Sequence, residues 1–183
     1  LGVSSDDADR SRGAVGPAGY RRMGRDLARL HDALERLPAR AQRPGWGGFV
    51  EAALPLSGGP AHRDALLADL DAALPEAARA FRTALQGVEG HDLATVFAGA
   101  PRVAIHGDIA PWNLRYRRGA LCAVLDFELA HVDVVAADLA LARRGYHDAV
   151  VDGYLEHRAL PAAQLAVLDA LWLGGIFHGL WRA

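Results

Sequence analysis

The sequence predicts a mostly helical α+β fold in one domain. Three observations point there. Apolar residues recur at helical spacing over most of the chain, and the strand-like runs cluster between residues 103 and 125. Of the 183 residues, 51% belong to the hydrophobic set and 23% are charged, which suits one sizeable core rather than a disordered chain. Formal net charge is -2, with 20 Arg and Lys against 22 acidic residues, so no global field recommends nucleic acid or an anionic membrane as partner. All the basic residues are Arg and none is Lys, a pattern that reads as codon usage.

Residues 1–17, LGVSSDDADRSRGAVGP, are polar and aperiodic, with neither a basic start nor an apolar segment. They read as a linker or disordered tail and as no signal peptide. Met23, Leu27, Leu30, Leu34 and Leu37 then step by four, three, four and three, which predicts an amphipathic helix from Ala18 to Leu37, stopped by Pro38. Residues 38–60 are rich in Pro and Gly and read as a loop anchored by Trp46 and Phe49. Leu66, Leu67, Leu70 and Leu74 predict a second helix, and Pro75 opens a third carrying Ala78, Phe81, Leu85 and Val88.

A short β unit follows, with strands at 103–105, 114–116 and 121–125 and a turn at RRGA. Cys122 lies inside the last of these runs and reads as a small core residue; as the single Cys it can form no intrachain disulfide, which suits a reducing cytoplasm. Helices are predicted again at 135–144 and 147–157. A long one opened by Pro161 has Leu165, Leu168, Trp172, Ile176 and Leu180 on one side. The longest apolar stretch, LAVLDALWLGGIF, is broken by Asp169 and two glycines, so no transmembrane helix is expected.

The chemistry concentrates in IHGDIAPWNLRY, residues 105–116, and LCAVLDFE, residues 121–128. Asp108 and Asn113 are five apart in a loop that Pro111 constrains, since Ala110 before it is held extended. Asp126 ends the neighbouring strand. Two carboxylates and an amide oxygen make a hard, oxygen-only donor set suited to Mg²⁺, which leaves its other positions to water and phosphate. The order H-x-D-x-x-x-x-N followed by D-F-x is that of the protein-kinase template for phosphoryl transfer.

HGDIAPWN together with VLDFE resembles the aminoglycoside phosphotransferase and choline kinase superfamily, small-molecule kinases that share the protein-kinase fold. LARLHDAL at 27–34 is similar to the helix that opens that family's carboxy-terminal lobe, and ADLALA at 137–142 to its Asp-Leu-Ala helix start. The resemblance covers about residues 20–180. It implies a kinase-like carboxy-terminal lobe over 18–183, with a β-hairpin unit carrying the catalytic loop. It also implies that Asp108 is the catalytic base or orienting carboxylate, that Asn113 and Asp126 bind Mg²⁺ and the nucleotide, ATP or GTP, and that Asp138 hydrogen-bonds the loop backbone. His106 is then a structural imidazole behind the loop. The family's amino-terminal nucleotide lobe and its phosphate-pairing Lys have no counterpart in this sequence, so the missing lobe is an expected partner, in cis or in trans.

Other residues carry two readings each. Glu128 either positions a metal-bound water or a cationic substrate, or is a solvated loop residue. Asp133 is either an acid of the substrate pocket or the residue that starts the following helix. Trp46, Trp172 and Trp181 line either an acceptor pocket or the core, and Arg143 with Arg144 reads as a solvated helix end. The function implied is ATP-dependent phosphorylation of a small hydroxylated molecule: an aminoglycoside-type antibiotic, a macrolide, choline, homoserine or another sugar. Two alternatives stand beside it. One is an inactive lobe that binds a partner through an exposed apolar face. The other is a metal-dependent phosphohydrolase using the His-Asp pairs at 31–32, 91–92 and 147–148, two of which are expected on polar helix faces.

Overall fold

A computed structural model describes residues 16–37, 60–86, 92–144 and 147–182. Nearly all of the expected tail, most of the 38–60 loop with Trp46 and Phe49, and Val88 and His91 lie outside the described residues. Helix α1 (Pro17–Leu34) starts on a proline at its first turn and buries Tyr20, Met23, Leu27, Ala28 and His31 on one face. It ends three residues before Leu37. Arg36 and Leu37 instead bond back three residues, to Ala33 and Leu34, and Leu37 is exposed. Pro38 disfavours the helical conformation of the residue before it, which accounts for the early end.

Helices α2 (Pro60–Ala73) and α3 (Pro75–Gln86) are separated at Leu74. Leu67, Ala78 and Leu85 enter the core, whereas Leu74, expected on the apolar face, is exposed. A short helix α4 (Leu93–Val96) was not foreseen. Asp92 caps it by accepting the Thr95 amide at 3.1 Å and its hydroxyl at 2.6 Å.

The β structure differs from the expected single unit. Strand β1 (Val103–Ile105) pairs antiparallel with an unforeseen β4 (His131–Asp133), while β2 (Leu114–Arg117) and β3 (Ala120–Val124) form a separate hairpin. The Asp108 loop therefore bridges two small sheets rather than riding on one hairpin. Cys122 faces outward from β3, exposed, its Sγ–H donating to the Arg115 carbonyl at 3.3 Å, so the core assignment is corrected. An irregularity between Arg115 and Tyr116 breaks the two-residue alternation on which facing depends.

Helix α5 (Val135–Arg143) is buried nearly all round among the described residues. Helix α6 (Asp148–Leu155) follows. The expected single helix from Pro161 is two, α7 (Ala162–Ala166) and α8 (Leu168–Arg182), with a break that lets Val167 and Leu168 both enter the core. Trp172 packs partly buried against that core. Arg143 pairs with Asp148 and Asp169, and the Arg144 guanidinium lies 4.4 Å from the Trp112 ring centre, so this pair is engaged rather than merely solvated. Among the described residues no helix is long and apolar enough to cross a membrane.

Helices α1 and α6 cross at backbone contact. A Cβ on Gly24 would stand 1.9 Å from the Val150 carbonyl oxygen, and one on Gly153 would stand 1.8 Å from that of Arg21. Only glycine permits that approach. Beyond the crossing, Glu156 pairs with Arg21 and Arg25, and Asp32 pairs with His157 and Arg158. The crossing brings Tyr154 against His31 and so builds one wall of the site.

Candidate active site

The loop after β1 is fixed from below by Asp138, on the first turn of α5 and fully buried. Its Oδ2 accepts the His106 amide and its Oδ1 the Gly107 amide, each at 2.7 Å. His31 Nε2 lies 3.2 Å from Oδ2, and His31 Nδ1 is 2.9 Å from the Tyr154 hydroxyl. Burial raises the Tyr154 pKa well above its ordinary value, so the hydroxyl stays protonated beside Nδ1. His31 then donates from Nε2 to Asp138. Burial alone would push the Asp138 carboxyl up, but His31 and the two loop amides hold it below the usual carboxylate range.

His106 is fully buried behind the loop. Its Nδ1 accepts the Asp108 amide at 3.1 Å, which leaves Nε2 to donate to the Leu125 carbonyl at 2.8 Å. A single neutral imidazole thus ties the loop to the end of β3. Gly107 has φ +83, and a Cβ there would stand 2.2 Å from the Leu129 carbonyl oxygen. The glycine of H-G-D is required both by its backbone angle and by contact with the approach to β4.

Asn113 closes the loop. Pro111–Asn113 forms a 3-10 turn after the extended Ala110, and the Asn113 Nδ2 donates to the Asp108 carbonyl at 2.8 Å and to its Oδ2 at 3.2 Å. With the amide nitrogen so used, Oδ1 is the atom left for a ligand. The Leu125 amide donates to the Asn113 carbonyl at 2.8 Å, so the start of β2 and the end of β3 lie side by side, with Asp126 next in sequence. Asp126 is left-handed, at φ 64 and ψ 63, and exposed; its carboxylate makes no hydrogen bond or ion pair with any described residue. The Asn113 oxygen and the Asp126 carboxylate are hard donors and fit Mg²⁺ in chemistry.

Glu128 is exposed on the 3-10 turn Phe127–Leu129. Asp133 faces inward instead of lining an open pocket: fully buried, it accepts the Val134 amide at 2.8 Å and lies 3.3 Å from Arg102. It also stands 3.5 Å from His131, whose pKa burial would lower but which Asp133 and the Leu129 carbonyl hold above its ordinary value. Asp133 ends β4, two residues before α5, whose N-cap is Val134 with no side-chain cap.

Two participants in the loop's support, His31 and Tyr154, are not apparent from the motif. His31 was expected on a polar face as part of a His-Asp pair, and it is buried. Its position four residues after Leu27, on the apolar stripe, was the available signal. The other pairs are likewise engaged elsewhere, His147 stacking on Tyr20 at 3.7 Å and Asp92 capping α4. Among the described residues no group of three or more His, Cys, Asp or Glu is arranged to hold a metal, so the phosphohydrolase alternative finds no ligand cluster there.

A carboxylate-anchored loop thus lies beside an oxygen donor set at adjoining strand ends. The sequence pattern of the phosphotransferase enzyme family matches residues 4–172, and the chain belongs to that family. It is 32% identical over 170 residues to a homoserine kinase of Gluconobacter oxydans, covering 86% of this chain and 50% of that protein. Identity is also 32% over 170 residues to a homoserine kinase of Gluconacetobacter diazotrophicus, covering 83% and 48% respectively. The chain spans about half the length of the curated relatives it matches.

Proposed function

We propose that this chain is the carboxy-terminal, kinase-like lobe of an enzyme that transfers the γ-phosphate of ATP to the hydroxyl of a small amino alcohol of the homoserine type. The observation that carries the reading is the Asp108–Asn113 pair, joined at 2.8 and 3.2 Å and set beside Asp126. Asp108 takes the proton from the acceptor hydroxyl, or aims that hydroxyl, as its oxygen attacks the γ-phosphorus. The Asn113 Nδ2 holds the Asp108 carboxylate in place for this. Asn113 Oδ1 and Asp126 would hold Mg²⁺, which when bound offsets charge on the phosphate oxygens. Asp138 and His106 keep the loop rigid, so the geometry is fixed before substrate arrives.

Glu128, exposed on the turn that follows Asp126, is the acid assigned to an acceptor's ammonium group. The names of the relatives favour homoserine over the aminoglycoside-type acceptors that the motif alone leaves open. The chain contains no Lys, so on this reading the phosphate-pairing Lys of the template is supplied from outside it. Trp112, Leu125, Phe127 and Leu129 are 44%, 41%, 43% and 37% exposed around the loop and are the surface on which the amino-terminal lobe docks.

The test is an ATP-consumption assay of this chain, alone and joined to the amino-terminal half of a homoserine kinase, over homoserine, choline and aminoglycosides. The joined protein is expected to prefer homoserine, and Asp108→Ala to lower its rate about 10² to 10⁴-fold with nucleotide binding retained. Full turnover by Asp108→Ala removes the base assignment. Robust turnover by the chain alone removes the lobe assignment.

A further inference from the structure

At the turn of the β2–β3 hairpin, away from Asn113 and Asp126, α1 and the hairpin enclose an open cavity of about 560 Å³. That volume is in the range of small-molecule sites. Arg22, Arg25 and Arg29 line it from one face of α1, with Asp26, Leu30 and Leu121 completing the wall. The hairpin strands run four and five residues, which sets the cavity roughly 13 Å from the Asp126 end at strand rise.

The three guanidinium groups are unequally satisfied. Arg25 is held by Glu156 at 2.8 Å, whereas Arg29 meets Asp26 at 3.3 Å from a side chain that is 63% exposed. Arg22 makes no hydrogen bond or ion pair with any described residue. Its Nη1 reaches across the cavity to the hairpin turn, 3.9 Å from where a Cβ on Gly119 would stand. Asp26 is buried and already engaged by Arg29, so the charge presented to the cavity is cationic. Leu30, Ala120 and Leu121 add an apolar wall beside it.

We infer that this cavity is a second small-molecule site, which takes an oxyanion, phosphate or carboxylate, carried on an apolar body. Arg22 is the principal anchor and Arg29 the second, since a guanidinium bonds either oxyanion through two parallel N–H groups. The apolar body lies against Leu30 and Leu121. Those two side chains also line a closed gap beneath, together with Ile109 of the Asp108 loop, so an occupant rests on the layer that supports the loop.

Calorimetric titration of the 183-residue chain with phenyl phosphate, benzoate and inorganic phosphate tests this. Saturable binding at one site is expected, with phenyl phosphate tighter than inorganic phosphate; the ranking of phenyl phosphate against benzoate tells which oxyanion the site prefers. Arg22→Ala should weaken binding tenfold or more, Arg22→Lys by less, and Asp126→Asn not at all. In the unaltered chain, phenyl phosphate should shift the amide resonances of Gly119, Ala120 and Leu121, a readout that does not depend on any variant folding. Absence of saturation with all three probes, wild-type affinity in Arg22→Ala, or shifts confined to residues 106–113 and 126 would each overturn the assignment. Because none of these readouts involves phosphate transfer, they stand or fall separately from the proposed kinase activity.

Discussion

Asp138 and Asp126 both lie in the neighbourhood of the Asp108 loop, in opposite surroundings. Asp138 is wholly buried and saturated by two backbone amides and His31, whereas Asp126 is exposed, left-handed and without a partner among the described residues. The first is a structural carboxylate whose value lies in bonds already made. The second is distinguished by its exposure and its left-handed backbone. The difference teaches that a lowered pKa and burial mark the scaffold here, while Asp126 stands apart by its lack of partners among the described residues and its left-handed backbone.

The contrast can be broken most severely at the buried end. Asp138→Ala should cost about 3–5 kcal/mol, because it strands two buried amides and a histidine donor, as read from urea denaturation. Asp138 titrates below its ordinary value of 3.8 when folded, so its contribution is complete above that value and is lost as pH falls through the lowered one. Asp138→Asn should therefore have a flatter stability profile than the wild type below about pH 4, and superimposable acid limbs would refute the linkage. Next in size is Gly153→Ala, which pushes a Cβ against the Arg21 carbonyl. Overpacking of roughly 1–3 kcal/mol should exceed the helix-propensity gain of about 1 kcal/mol, lowering the melting temperature and lengthening the His31–Tyr154 contact. A stabilised Gly153→Ala would show that the helices have room to part.

The smallest effect on stability is expected at the open end. Asp126→Asn should change the unfolding free energy by no more than about 0.5 kcal/mol. In the protein joined to the amino-terminal half of a homoserine kinase it should nevertheless raise the Mg²⁺ concentration needed for half-maximal phosphate transfer, since one carboxylate charge is gone. An unaltered Mg²⁺ titration would separate Asp126 from the metal.

The site was legible where its residues are contiguous. His106, Asp108 and Asn113 share one loop, and their spacing alone implied a common cleft; Asp126 followed because a hairpin brings its ends together. The loop's supports were less legible, because His31 meets its partners across 107 and 123 residues. No local pattern encodes such a meeting. β4 escaped for a related reason. His131, Val132 and Asp133 read as a polar stretch, and they form a strand only because β1 lies ready to pair. Cys122 was misplaced because its run is apolar on both faces, so alternation could not tell inside from outside. The α7–α8 break at Val167 carries no Gly or Pro to announce it; tertiary packing decides it.

The glycine-to-glycine crossing of α1 and α6 also has a meaning in time. Arg21 and Glu156, which pair beside that crossing, are 135 residues apart in the chain. At a synthesis rate of about 5–20 residues per second, α1 leaves the ribosome roughly 7–27 s before the helix that covers it exists. Throughout that interval Gly24 has no Val150 carbonyl against it, and His31 has no Tyr154. The Asp108 loop is thus held by a contact that cannot form until the helix carrying Tyr154 has been made.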